Sequence, residues 1–80
     1  MTALLAGLER YVKGHVATGG FLRACLENDL TGAVLRADEE SLEALPRIVR
    51  WLHDEAPGNC WGSAEAVAKW LAMAPLRGVA

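Results

Sequence analysis

The stretch DEESLEALPRIVRWLHDE, residues 38 to 55, decides the fold class of this chain. Asp38 has a short carboxylate that can accept a bond from a free backbone N–H at a helix start. Glu39 and Glu40 follow in the first turn, where the helix dipole favours negative charge. Leu42, Leu45, Ile48, Val49 and Leu52 then recur at the three- and four-residue spacing of a helix face. Pro46 interrupts that stripe. It removes a backbone donor and crowds the preceding turn, so the pattern predicts either a kink or two abutting helices, 38–45 and 46–55. Pro57–Gly58–Asn59 is a turn by composition.

The same period extends to both sides. Near the start, Thr2 is placed to cap a helix whose inner face is Leu4, Leu5, Leu8, Tyr11 and Val12, with Glu9, Arg10 and Lys13 opposite. Gly14 suits the left-handed residue that ends it. His15 to Gly20 reads as a loop, because paired glycines lose too much backbone entropy inside a helix. Phe21, Leu22, Cys25 and Leu26 form the next stripe, with Arg23 and Glu27 on its polar side. Asn28–Asp29 breaks it and supplies a new cap, and Leu30, Ala33, Val34 and Ala37 make a short third segment. After the turn, Ser63 caps a last helix with Val67, Ala68, Trp70 and Leu71 inward. Pro75 stops it, and Leu76 to Ala80 form a frayed tail. No segment alternates long enough for a strand. The expected fold is all-α, a compact small bundle of four to five short helices in a single domain, residues 1–80.

Bulk properties narrow the function classes. Eighty residues, 52% of them apolar, can fold but bury only about 60–65% of their unfolded surface. Sharing apolar surface in a dimer would help, and monomer and homodimer both remain open. Ten acidic against eight basic side chains give a net charge of −2, with no broad positive field for a phosphate backbone. No run approaches the roughly 18 apolar residues of a membrane span, and the opening lacks the basic flank of a secretory signal. A cytoplasmic location with reduced thiols is the expectation.

The candidate chemistry is sparse. His15, Cys25, His53 and Cys60 are of metal-ligand type, but no close Cys or His pair gives them a zinc spacing, so neither metal nor cofactor is expected. Cys25 falls mid-stripe, where a free cysteine behaves as a small hydrophobe. No catalytic motif is present, and Gly19–Gly20 lacks the longer pattern and lysine of a phosphate loop. The chain therefore reads as non-enzymatic. An enzyme would need a concave pocket gathering His15, Cys25, His53 or Cys60.

Charge placement is more informative. Glu27, Asp29, Asp38, Glu39, Glu40 and Glu43 lie within seventeen positions, interrupted only by Arg36. Capping accounts for Asp29, Asp38 and Glu39, and the set also fits a negative patch that meets a basic partner. Arg47, Arg50 and Asp54 share the outer face of the fourth segment, with Trp51 at its edge. Arg and Trp are enriched at interface hot spots, and an edge Trp also serves to cover a small core. Glu27, Asp29, Asp38, Glu39, Glu40, Glu43, Arg47, Arg50 and Trp51 are the candidate partner-binding residues. Any exposed member of Trp51, Trp61 and Trp70 is a further candidate.

The runs GGFLRACLENDLTGAVLRAD (residues 19 to 38), LPRIVRWL (45 to 52) and APGNCWGSAEAVAKWL (56 to 71) carry a resemblance. Together they resemble a family of small phage and prophage proteins with a Gly-Gly-Phe-Leu start, an Asn-Asp-Leu, an Arg-Ala-Asp and a closing Trp-Gly-Ser. The likeness covers about residues 15 to 71. It implies an anti-CRISPR inhibitor of a type I-C system, one that binds the backbone subunit of the bacterial surveillance complex and blocks target DNA. It implies no direct nucleic-acid binding and carries no residue-level role; Phe21, Leu22 and Trp61 fit packing positions. A phage module for another protein target and a small nucleic-acid-binding regulator are the alternatives.

Overall fold

A computed structural model describes residues 2–73 of the chain. Five helices follow one another: α1 (Thr2–Gly14), α2 (Gly20–Leu26), α3 (Leu30–Arg36), α4 (Glu39–Glu55) and α5 (Ala64–Ala72), with a 3-10 turn, Gly58–Cys60, before the last. The described residues contain no strand, so the chain is all-α. The expectations for Pro75 and Leu76 to Ala80 lie outside the described residues, as does the side chain of Thr2.

Local signals account for most helix ends. Asp29, Asp38 and Ser63 each accept a bond from the backbone N–H three residues on, at 3.0, 2.7 and 3.0 Å, which satisfies one of the donors a helix start leaves free. Helix α2 closes on Asn28 in the left-handed region at φ 60°. The Asn28 N–H donates to the Cys25 carbonyl and the Asp29 N–H to the Ala24 carbonyl. That pair of bonds is the usual exit with a left-handed residue, here an asparagine in place of glycine.

Several expectations change. Gly14 belongs to α1, and the left-handed residue is His15, at φ 57°. His15 tolerates the conformation because its ring is anchored elsewhere. Its Nδ1 lies 2.8 Å from the Trp70 carbonyl oxygen, and its ring centroid sits 4.3 Å from the Trp70 ring. Gly20, expected in the loop, opens α2, with Gly19 as its cap. Helix α4 also runs unbroken through Pro46, which excludes two separate helices. Ala44 before the proline and Ile48 and Leu52 after it are all buried in one stripe, so a break would pull one half of that stripe from the core. The carbonyl that position 46 would have bonded belongs to Leu42, an exposed residue where water can replace the lost donor.

The core is built from Leu8 and Tyr11 of α1, Leu22, Cys25 and Leu26 of α2, Ile48 and Leu52 of α4, Cys60 of the turn, and Val67 and Trp70 of α5. Helix α3 packs mainly on α2, through the small buried residues Gly32 and Ala33. That close approach turns Leu30, Val34 and Leu35 outward, and the expected inner face of α3 shrinks to Ala33. Leu42 and Val49 of α4 and Ala68 of α5 are likewise exposed, not inward.

Hydrogen bonds between elements fix the arrangement. The Tyr11 hydroxyl donates to the Cys60 carbonyl at 2.7 Å, both groups buried, and Trp70 Nε1–H donates to the Tyr11 carbonyl at 2.9 Å. Gly62, at φ 112°, turns the chain so that its N–H reaches the Leu26 carbonyl at 2.7 Å. Tyr11→Phe should leave the Cys60 carbonyl without its donor and cost about 1–2 kcal/mol in urea unfolding. Leu35→Ala, at a position 78% exposed, should stay within about 0.5 kcal/mol of the parent in the same assay.

Candidate functional site

The acidic residues divide into two groups by their place in the fold. Glu27 and Asp29 sit at the α2–α3 turn and are used locally. Glu27 Oε2 accepts from Arg23 Nε at 2.8 Å and is half-buried, and Asp29 caps α3. Asp38 caps α4. Glu39, Glu40 and Glu43 project from the first two turns of α4 and are exposed.

Spacing on α4 places these carboxylates beside the two arginines. Glu39, Glu43, Arg47 and Arg50 recur at three and four residues, so they share one solvent face. Glu40, Glu43 and Arg47 border a surface hollow of about 330 Å³ floored by Ala44. Arg50 borders a second, of about 540 Å³, with Leu45, Pro46, Val49, His53 and Trp61. The face is therefore acidic at the N-terminal end of α4, basic about its middle and acidic again at Asp54. Trp51 lies on its edge, half-buried against the core, and Trp61 is half-buried too, whereas Trp70 is buried. No tryptophan is fully exposed.

One pH-sensitive group stands within this segment. The Ser41 backbone N–H, and with it the Ser41 side chain, holds the Asp38 carboxyl below its ordinary 3.8. Folding thus favours the charged form.

The residues of metal-ligand and nucleophile type remain apart. His15 is bound to Trp70, His53 is exposed with Nδ1 3.0 Å from its neighbour Asp54, and Cys25 and Cys60 are both buried free thiols. Burial pushes the Cys25 thiol up to about 11 and raises that of Cys60, so neither supplies thiolate at neutral pH. Burial, with the Cys60 thiol nearby, likewise lifts Tyr11 to about 12. Among the described residues no three His, Cys, Asp or Glu side chains come together as a metal site. None of their helices is long and apolar enough to cross a membrane.

No family model, curated protein or solved structure matches this chain.

Two features escaped the sequence reading. A hollow of about 370 Å³ lies between the start of α1, the 17–20 loop and the start of α2, with Arg10, Thr18 and Ser41 at its rim. No sequence signal announces it, because its walls come from three separate segments. The other is an apolar surface around Leu30, Leu45 and Val49. Its residues carry a helical apolar signal that points equally well to a core.

Because the native Asp38 carboxyl titrates below its unfolded value, its contribution is complete above pH 3.8 and is lost as pH falls through the depressed value. Asp38→Asn keeps a capping oxygen but does not titrate. Urea midpoints followed from pH 6 to about pH 2 should fall less steeply for Asp38→Asn than for the parent in the acid range.

Proposed function

We propose that this chain is a non-enzymatic inhibitor that binds a protein subunit of a bacterial type I CRISPR surveillance complex, the type I-C backbone subunit in the sharpest form, and blocks target DNA. The observation that carries the reading is the exposed run Glu39, Glu40 and Glu43 on α4. A complex that holds nucleic acid presents a basic groove, and a carboxylate row on a helix is a suitable competitor for phosphates. The row sits on an element whose opposite face, Ala44, Ile48 and Leu52, is fixed in the core, so little side-chain and backbone order has to be acquired on binding. The resemblance of residues 15 to 71 to small phage proteins supplies the choice of target.

Neighbouring groups fit the same docking mode. Arg47 and Arg50 follow the carboxylates on one face, where they set register against a mixed partner surface, and Trp51 stiffens the edge. The two arginines adjoin three glutamates, and this arrangement favours a protein partner over direct contact with a nucleic-acid backbone.

The test is co-purification with a purified type I-C surveillance complex, with target duplex added before or after the protein. The parent should bind the complex and prevent later duplex loading. Glu39→Lys, Glu40→Lys and Glu43→Lys combined should weaken binding by about 100-fold or more while the helical spectrum is kept and melting falls only by the loss of favourable charge at the start of α4. A triple variant that binds as tightly as the parent defeats acidic docking, and a parent that never associates defeats the inhibitor reading itself.

A further inference from the structure

We propose that a second copy of this chain docks on the face formed by Leu30 of α3 and Leu45 and Val49 of α4, closing a two-fold dimer. The inference does not rest on the glutamates of α4, although Arg50 borders both surfaces. Leu30 is 68% exposed and Val49 is 43% exposed, although both belong to apolar stripes of their helices. Val34, one turn after Leu30, and Leu42, three residues before Leu45, are exposed too and extend the surface along both helices. Covering this face takes out of water apolar side chains that a single copy leaves exposed.

Charge on the two sides of the face says what covers it. Leu45 and Val49 form a ridge shared by two hollows. The hollow on the α3 side carries Asp29, and the one on the other side carries Arg50. A two-fold axis along the ridge lays Val49 of one copy against Val49 of the other. It brings each Asp29 over the Arg50 of its mate, forming the same ion pair twice. A face with one acidic and one basic flank about an apolar ridge is complementary to itself. The face is a few side chains of two helices, smaller than the roughly 800 Å² per partner of a standard stable interface, so the association is weak and reversible.

Sedimentation velocity across a micromolar to millimolar series of the full chain tests this. The weight-average mass should rise towards twice that of the chain. Leu30→Glu with Val49→Glu should remain monomeric throughout with an unchanged circular dichroism spectrum, since both positions are exposed in the folded monomer. Leu35→Glu, 78% exposed on another side of α3, should associate like the parent. Asp29→Asn, which keeps the α3 cap, and Arg50→Gln should each weaken association by about two- to fivefold. A parent that stays monomeric overturns the proposal. So does a double variant that still dimerises, or a Leu35→Glu variant that dissociates. No change in either charge variant overturns the two-fold register.

Discussion

The backbone carbonyl of Tyr11 is the point on which the arrangement of the helices depends. It accepts the His15 N–H at 3.0 Å, closing α1, and the Trp70 indole N–H at 2.9 Å, tying α1 to α5. The Trp70 carbonyl is engaged in return by His15 Nδ1, which satisfies one of the last acceptors of α5. The Tyr11 hydroxyl then holds the Cys60 carbonyl in the turn that feeds α5. Three segments far apart in sequence are thus locked by polar bonds within an apolar core, where an unmade bond is costly. The left-handed backbone of His15 belongs to the same arrangement, because its ring reaches Trp70 from that conformation.

This clamp joins α1, the 3-10 turn and α5, and α3 and the outer side of α4 form the half of the molecule outside it. Helix α3 is held to α2 through Gly32 and Ala33, and small contact residues bring the backbones close at the expense of apolar area. Leucines that a larger spacing would have buried therefore meet solvent. The surfaces available for partners, acidic at the start of α4 and apolar beside α3, both lie in this half. The first is charged because helix starts favour carboxylates, and the second is apolar because α3 is too short and too closely packed to bury all it carries.

Both surfaces involve α4, and the helix can serve both because its core stripe is narrow. Ala44, Ile48 and Leu52 repeat every four residues and anchor it. Its flanks are free to carry Leu45 and Val49 on one side and Trp51 on the other, with the charged face between them on the solvent side. Pro46 sits on that exposed side, where a missing N–H leaves a carbonyl to water and not to the core. Its position explains why one rigid helix presents all of these groups.

The sequence by itself determined the all-α class, the start of α3, α4 and α5 at Asp29, Asp38 and Ser63, and the exit at Asn28, since capping and helical period are local properties of neighbouring residues. It also placed Glu39, Glu40 and Glu43 on the surface, because charged residues opposite an apolar stripe have nowhere else to go. Only the tertiary structure decided which apolar positions are buried. Leu30, Val34, Leu42 and Val49 carry the same periodic signal as Leu26 or Ile48, yet exposure depends on how closely α3 approaches α2 and how far the core extends. It alone decided that His15 and not Gly14 turns left-handed, and that α4 crosses Pro46 intact. In each case a contact between distant segments outweighed the local preference, because a buried bond or a shared core stripe stabilises more than one residue's backbone propensity costs.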